Sequence, residues 1–554
     1  MDANQDPFAG KLIFGIDLGT SKSCIGFKDE QTAQIVMVPN SNEALITPSL
    51  VAWNREHQDW VIGRAAREYG WKNPGDLVYS IKRYIGRWFS DRVVQGDLAA
   101  LSYRLIDSRS TWPVNSIQVD FGATAEQQPL QRTPQQISAM ILEQLRQDAA
   151  RHLGKPLDEV KHTVITVPTY FGTCQRVATH EAGRLAGWEV VDILNEAVAA
   201  ALAYEKERLG PEPRRIVVFS LGGGTCEVAV LEASKDDAGF SFNTLAVDGD
   251  VHLGGDDIDH TLVAWLIEEV KNRTGQVVTD DASREHLRQE VEQAKIRLSM
   301  GAADALQSTL IDLRGVELGN STIDVQVELT QQQLADCART VVEKSGQILQ
   351  HAVQKGGLQW EQIDELILVG GQTQLPLVRE HLQSISGLKP RIDRNPQLVV
   401  GMGAAEYAYI ISQGQAKREQ NFVGLVLGWS YGLEVKSTTS DHVFLELIPA
   451  NTYIPARGAY EVETVGNNQR EIEIKVFQCR PGTRYTDQQD QSTVVGSMRV
   501  PIIDPGPAGK KFMVELTVRE DGTLQVAVTD ARGQSLPSKI FTPKEICLPE
   551  PESR

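Results

Sequence analysis

Apolar residues in this chain gather into short runs, and two of those runs are broken by glycine in the same way. Ile13–Phe27 reads IFGIDLGTSKSCIGF, and Ile216–Leu231 reads IVVFSLGGGTCEVAVL. Each starts as an apolar run, turns at glycines beside a threonine or serine, and resumes as an apolar run. A short apolar run bounded by glycines is the pattern of a buried strand entering a tight turn. Glycine lets the backbone approach a ligand, and successive N–H groups then form an anion-binding nest. Two such hairpins facing each other across a cleft could hold a polyphosphate from both sides.

Between and after the hairpins the pattern alternates strand and helix. Thr133–Gly154 predicts an amphipathic helix, opened by a threonine cap with Pro134 at its first position. His162–Pro168 is a β-branched buried strand. Phe171–Trp188 predicts a helix ending at Gly187, and Ile193–Glu207 an alanine-rich one. Ser80–Phe89, basic and aromatic, reads alone as a solvated helix face or a packing segment. Asp91–Pro134 reads as strands and loops. Asp281–Ser299 keeps apolar residues at helical spacing. Glu365–Gly371 is a buried strand ending in two glycines, and Val399–Ile411 is a helix of small residues suited to close packing.

The pattern changes near Gln413. A polar linker, Ser412–Asn421, leads into the apolar Phe422–Trp429. From Ser430 onward the chain alternates with period two: Val443–Ile448, Tyr460–Val465, Glu471–Gln478, Phe512–Arg519 and Thr523–Asp530. Asp521–Gly522 is a hairpin turn signal. This predicts an all-β unit compatible with a sandwich. No helical segment follows it. The expected division is a tail at 1–10, an α/β region at 11–412, a linker at 413–429, a β unit at 430–545 and a tail at 546–554.

Composition narrows the function. A chain of 554 residues exceeds one core. A net charge of −18 disfavours nonspecific binding to nucleic acid or an anionic membrane. Met1–Gly10 has no apolar signal-peptide core, and no stretch is long enough to span a bilayer, so a cytoplasmic location is expected. The six cysteines, Cys24, Cys174, Cys226, Cys337, Cys479 and Cys547, form no CxxC pair. Reduced, mostly buried thiols are expected rather than zinc or disulfides. His252 and His260 lie near each other without a third ligand, which favours structural roles.

In order along the chain, GIDLGTS (Gly15–Ser21), SIKRYIGR (Ser80–Arg87), VITVPTYF (Val164–Phe171), QRVAT (Gln175–Thr179), LNEAVAAALAY (Leu194–Tyr204), LGGGT (Leu221–Thr225), GDVHLGGDDID (Gly249–Asp259) and LVGGQTQLP (Leu368–Pro376) resemble the DnaK-type heat-shock chaperones, of the actin/hexokinase-like ATPase superfamily. The resemblance implies an actin-like α/β nucleotide-binding domain of two lobes, a linker, and an all-β sandwich that binds peptide, here without a helical lid. It also implies ATP/ADP and Mg²⁺ as cofactors. Gly19, Thr20 and Ser21 would meet the phosphates from one lobe, and Gly223, Gly224 and Thr225 from the other. Asp17 would hold Mg²⁺ through water. Lys82 would contact the γ-phosphate and attacking water, with Glu196 orienting that cluster; Lys82, Glu196, Asp17 and Thr225 are the implied catalytic set. Gly254 and Gly255 would approach the nucleotide. Glu292, Lys295 and Ser299 would hold ribose and base, and Gly371 would line the base side. Pro168 and Arg176 match an interdomain relay. Leu433, Ile472 and Ile474 match a peptide groove.

The sequence departs from the family at telling places. Ser220 stands where the family has an aspartate before LGGG, while Glu227 keeps the next acidic position. ATP binding with slow hydrolysis follows. Ala197 replaces the proline of NEP. Asp192 replaces an arginine that helps bind J-domain partners, so a poor response to J-proteins is expected. Gln374 replaces an arginine on the adenine side, and NPD becomes Asn395-Pro396-Gln397. The expected partners are unfolded or extended polypeptides, with a nucleotide exchange factor as a further candidate.

Three functions compete. One is an ATP-regulated chaperone. Another is a nucleotide-binding, non-hydrolysing partner of another chaperone or the ribosome. The third is a cytoskeletal or sugar-kinase relative, which the β unit after an apolar linker argues against.

Overall fold

The structure is a computed structural model. It describes residues 7–542 apart from 71, 109–116, 124–125, 206–207, 237–238, 279, 300–306, 319–320, 415–421, 425–426, 428, 437–441, 451, 453, 480–482, 487–491 and 520–522. Much of the predicted linker, the Asp521–Gly522 turn and the tail at 546–554 therefore lie outside the described residues.

Two sheets repeat one plan. The first, six-stranded, runs through β1 (Ile13–Asp17), β2 (Lys22–Lys28), β3 (Ile35–Met37), β4 (His162–Val167) and β5 (Glu189–Asn195) in the order β5-β4-β1-β2-β3, with the short strand Thr47–Pro48 also paired to β2. The second is built from β6 (Arg214–Leu221), β7 (Cys226–Lys235), β8 (Phe240–Asp250), β9 (Glu365–Val369) and β10 (Phe422–Gly424), in the order β9-β6-β7-β8-β10. In each, an antiparallel hairpin (β1–β2 or β6–β7) has a parallel strand on the outer side of its first member. Both glycine hairpins are therefore the corresponding turn of a duplicated lobe.

Helices cover the sheets. α1 (Pro134–Leu153) starts with a reciprocal cap: the Gln136 N–H donates to the Thr133 hydroxyl at 3.3 Å, and the Thr133 N–H donates to Gln136 Oε1 at 2.9 Å. It stops at Gly154, whose φ of +61° suits glycine. α2 (Thr173–Leu185) follows β4, and α3 (Glu196–Glu205) follows β5. The predicted helix at Ile193–Glu207 therefore begins later than its pattern suggests. Ile193–Asn195 continue β5 in parallel register with Ile165–Val167, so their backbone groups are spent on the sheet. Lys206 and Glu207 lie outside the described residues. α4 (Gly255–Thr274) and α5 (Asp281–Ser299) belong to the second lobe, and α6 (Val399–Ser412) packs against α3 and β1 between the lobes. The lobes keep separate cores, with a third cluster of Ala199, Leu202, Val218, Val400 and Ala408 joining them. Ser80–Phe89 is no solvated face: Ile81–Arg83 form a 3-10 turn, and every residue from Ser80 to Arg87 is buried.

The β unit consists of two four-stranded antiparallel sheets. Ser430–Val435, Val443–Ile448, Glu471–Cys479 and Ser492–Pro501 make one; Ala456–Glu463, Lys511–Val518, Leu524–Asp530 and Lys539–Phe541 make the other. One core, including Leu433, Ile474, Val476, Val514 and Val526, fills the space between them. That is the burial expected of period-two strands facing inward.

The connection is structured where it is described. β10 adds to the edge of the second-lobe sheet, parallel to β8, with Ser241 opposite Phe422. Leu427 joins the core of the β unit, and Trp429 Nε1 donates to the Tyr170 carbonyl at 3.1 Å. The Thr173 and Tyr431 hydroxyls are 2.8 Å apart, and Cys174 packs into the same core. The β unit thus sits on the N-terminus of α2.

Candidate functional site

The two glycine hairpins meet at the floor of a cleft open to solvent. A Cβ at Gly223 would stand 1.7 Å from Ser21 Oγ, so only a bare Cα lets the loops approach this closely. Asp17, Gly19, Thr20, Ser21, Lys82, Glu196, Ser220, Gly223 and Thr225 line one part of the cleft; Gly255, Glu292, Lys295, Ser299 and Gly371 line it further along. Gly224 and Gly254 stand just behind. A Cβ at Gly254 would lie 2.6 Å from the Gly223 carbonyl oxygen, and one at Gly224 the same distance from Arg83 Nε.

Charge is concentrated at the cleft floor. Lys82 Nζ donates to Glu196 Oε1 at 2.6 Å, with the lysine side chain almost wholly buried. Thr166 Oγ1 donates to Asp17 Oδ1 at 3.2 Å. Burial, then repulsion from Glu196, pushes the Asp17 carboxyl up to about 7 against the pull of Lys82. Glu227 is pushed up to about 8 by burial and Glu196, although it accepts the Thr169 N–H at 2.6 Å. Ser220 is the cross-strand partner of Glu227 in the β6–β7 ladder. Three carboxylates therefore gather around one ammonium, and the cluster lacks positive charge.

That deficit suits a cation. Among the described residues no His, Cys, Asp and Glu side chains group closely enough to cage a metal directly. Magnesium usually keeps several of its waters and binds by few carboxylates together with phosphates. The donor set, with Asp17 at the cleft wall and Glu227 buried behind it, fits a hydrated Mg²⁺ that arrives with a nucleotide.

Further along the cleft, α5 presents Glu292, Lys295 and Ser299 at helical spacing. Lys295 pairs with Asp259 at 2.7 Å, both side chains almost fully buried, and donates to the Gly255 carbonyl at 3.2 Å. Glu292 pairs with Arg67 at 3.4 Å, and the Ser299 hydroxyl donates to the Lys295 carbonyl at 2.6 Å. Gln374, Pro396 and Gln397 also line the cleft. Asn395 stays outside it and accepts the Gln397 N–H at 3.0 Å.

Several residues lining the cleft escaped the motif reading: Lys22, Asp256, Asp259, Ile296 and Gln372. Arg83 is buried and crosses between lobes, donating to the Gly224 carbonyl at 2.9 Å with Asp257 3.6 Å away. Ser80 reaches Asp256 at 2.6 Å. Their signal lay within quoted motifs, Ser80–Arg87 and Gly249–Asp259, but charge pairing across lobes has no local pattern. Burial lowers the Lys22 pKa.

The remaining expected residues lie elsewhere. Pro168 borders a small adjoining cavity with Thr20, Lys82, Tyr170 and Thr225. Arg176 is half-buried, donating to Asn195 Oδ1 at 2.8 Å and to the Ile193 carbonyl at 2.6 Å. Ala197 is buried in the core between the lobes. Asp192 faces inward, accepting from the Tyr407 hydroxyl at 2.9 Å and facing the Arg176 charge. Leu433 and Ile474 are core residues of the β unit, and Ile472 packs partly buried against the same core.

Cys24, Cys174, Cys226 and Cys479 are buried thiols outside any disulfide, and Cys337 is partly exposed. Among the described residues, no helix is long and apolar enough to cross a membrane.

A duplicated α/β architecture with facing glycine hairpins, a lysine–carboxylate cluster and an interlobe cleft defines a two-lobed nucleotide-cleft protein, and its sheets are consistent with a heat-shock-70 ATPase domain. A family model described as Hsp70 protein matches residues 13–551. The chain is 33% identical over 526 residues to the chaperone protein DnaK of Burkholderia cenocepacia, covering 94% of this chain and 75% of that one. It is 34% identical over 526 residues to the chaperone protein DnaK of Buchnera aphidicola subsp. Schizaphis graminum, covering 94% of this chain and 77% of that one. The chain belongs to the heat-shock-70 family, the ATP-binding ATPase chaperones that include DnaK.

Proposed function

We propose that this protein is a cytoplasmic chaperone that binds Mg-ATP and Mg-ADP in the interlobe cleft, hydrolyses ATP slowly, and uses nucleotide state to govern binding of extended polypeptide by residues 430–545. The observation that carries the reading is the meeting of Ser21 with Gly223 above the Lys82–Glu196 pair. Backbone N–H groups from two lobes can then hold the same phosphates, so closure of the lobes depends on them.

In this reading Gly19–Ser21 and Gly223–Thr225 bind phosphate, and Gly254 and Gly255 keep the backbone close to the nucleotide. Bound with the nucleotide, Mg²⁺ supplies charge neutralisation to the phosphates. Asp17 orients the water shell of that ion. Lys82 holds the terminal phosphate and the attacking water, and Glu196 fixes the ammonium. Ser220 can hydrogen-bond water but brings no charge, which makes the step slow. Glu292, Lys295, Ser299 and Gly371 form the ribose and base side.

The relay runs from Glu227 through Thr169 and Tyr170 to Trp429, with Pro168 and Arg176 supporting that segment. Leu433 and Ile474 are closed over in this conformation, so peptide contact by these residues and Ile472 requires the β unit to open. A nucleotide exchange factor is a fitting partner, and Asp192 makes the response to a J-domain protein weak. The test is fluorescence anisotropy of a labelled unfolded peptide with ADP and then ATP. Nucleotide-dependent affinity supports the chaperone; peptide binding indifferent to nucleotide refutes the control.

A second reading, a nucleotide-binding partner of another chaperone or the ribosome that does not hydrolyse, is favoured by Ser220 and Asp192. It predicts tight ATP binding with no turnover.

A further inference from the structure

Beside Gly371 and α5, the cleft is lined by three glutamine side chains, Gln372, Gln374 and Gln397. Gln397 Nε2 lies 2.9 Å from the place a Cβ on Gly371 would take, and Gln372 Nε2 lies 2.3 Å from the corresponding place on Gly255. Their backbones are engaged: the Gln374 carbonyl accepts from Arg379 at 3.2 Å, the Gln372 carbonyl from the Leu375 N–H at 3.1 Å, and the Gln397 N–H donates to Asn395. Their amide groups make no hydrogen bond among the described residues. All three are half-buried.

The charged groups nearby are already committed. Lys295 is held by Asp259 and the Gly255 carbonyl, and Glu292 by Arg67. The Ser299 hydroxyl proton is spent on the Lys295 carbonyl. Ile296 adds an apolar surface, and no arginine lines the cleft among the described residues. The polar groups left for a base edge are three amides.

We infer that Gln372, Gln374 and Gln397 make the base end of the cleft permissive, so that it takes 6-keto purine nucleotides nearly as well as adenine nucleotides. This rests on the nucleotide reading of the cleft. A site discriminates strongly when the wrong base leaves a fixed buried donor or acceptor unpaired. A primary amide offers a carbonyl acceptor and two N–H donors, and a half-turn exchanges them. Adenine presents an amino donor beside a ring acceptor; guanine and hypoxanthine present a keto acceptor beside a ring donor. Rotating an amide satisfies either edge, and half-exposure lets water complete the set.

The test is calorimetric titration of the full chain with Mg-ADP, Mg-GDP and Mg-IDP. The expected result is Kd values for GDP and IDP within about fivefold of that for ADP; a greater preference for ADP overturns the inference. A Gln374→Leu, Gln397→Leu double variant is expected to weaken ADP and GDP alike, by about tenfold. Unchanged affinities in that variant would mean the amides do not touch the base, and would also overturn it. Failure of all three diphosphates to bind the wild-type chain would instead remove the nucleotide reading, and this inference with it.

Discussion

Ser220 and Glu227 stand opposite each other across the β6–β7 hairpin, and the Glu227 carboxylate accepts the backbone N–H of Thr169 at 2.6 Å. The Glu227 carboxyl at this end of the hairpin is therefore buried against the β4–α2 connection, one residue before Tyr170, whose carbonyl holds Trp429. A serine beside Glu227 leaves that carboxylate without a like-charged neighbour on its own strand pair.

The buried carboxylates set a pH dependence for the nucleotide-free protein. Burial and Glu196 raise Asp17 from 3.8 to about 7 and Glu227 from 4.5 to about 8. Between those limits the folded state keeps protons that the unfolded chain has released, so stability falls as pH rises through the window. The melting temperature of the nucleotide-free protein should drop between about pH 5 and pH 8. Glu227→Gln should flatten the slope, and Mg-ADP should do the same. A melting temperature that climbs across this range, or a slope untouched by Glu227→Gln, contradicts the arrangement.

Lys82 and Glu196 support each other. Lys82→Ala leaves Glu196, mostly buried, without its 2.6 Å partner. Unfolding in urea should show a loss of about 3 kcal/mol, the usual cost of breaking a buried pair. Hydrolysis should fall roughly 10²–10³-fold. Adding Glu196→Gln to Lys82→Ala should recover stability but not hydrolysis. Recovery of both would mean that the pair is structural only.

Docking of the β unit depends on a few directional contacts. Trp429→Phe keeps an aromatic ring but removes the N–H given to Tyr170. A lost hydrogen bond of about 1 kcal/mol shifts the docking equilibrium several-fold. Protease cleavage between the second lobe and the β unit should quicken by that factor in the docked nucleotide state. Cleavage at the wild-type rate would show that the contact does not hold the units together.

The hairpins were legible because glycine turns between apolar strands follow a local rule, and the Thr133 cap because its reciprocal bonds lie within one turn. Ile193–Asn195 misled because the alanine run beyond them extends a helical pattern backward, while their pairing with β4 is a tertiary fact. Phe422–Gly424 read as a linker because its sheet partner, β8, is far away in sequence. Lys82 and Glu196 could be named from motifs, but Arg83 with Gly224, and Lys295 with Asp259, are partners that only folding brings together. Leu433 and Ile474 show the reverse difficulty: alternation marks a strand face as apolar without saying whether it meets a core or a ligand.

The proposed phosphate site lacks one charge, at Ser220. Single-turnover ATP hydrolysis by the wild-type chain and by Ser220→Asp, with Mg²⁺ and with binding verified by thermal shift, tests it most directly. The account predicts that both bind ATP and that the aspartate speeds hydrolysis roughly 10²–10³-fold. Wild-type hydrolysis as fast as that of Ser220→Asp would contradict it.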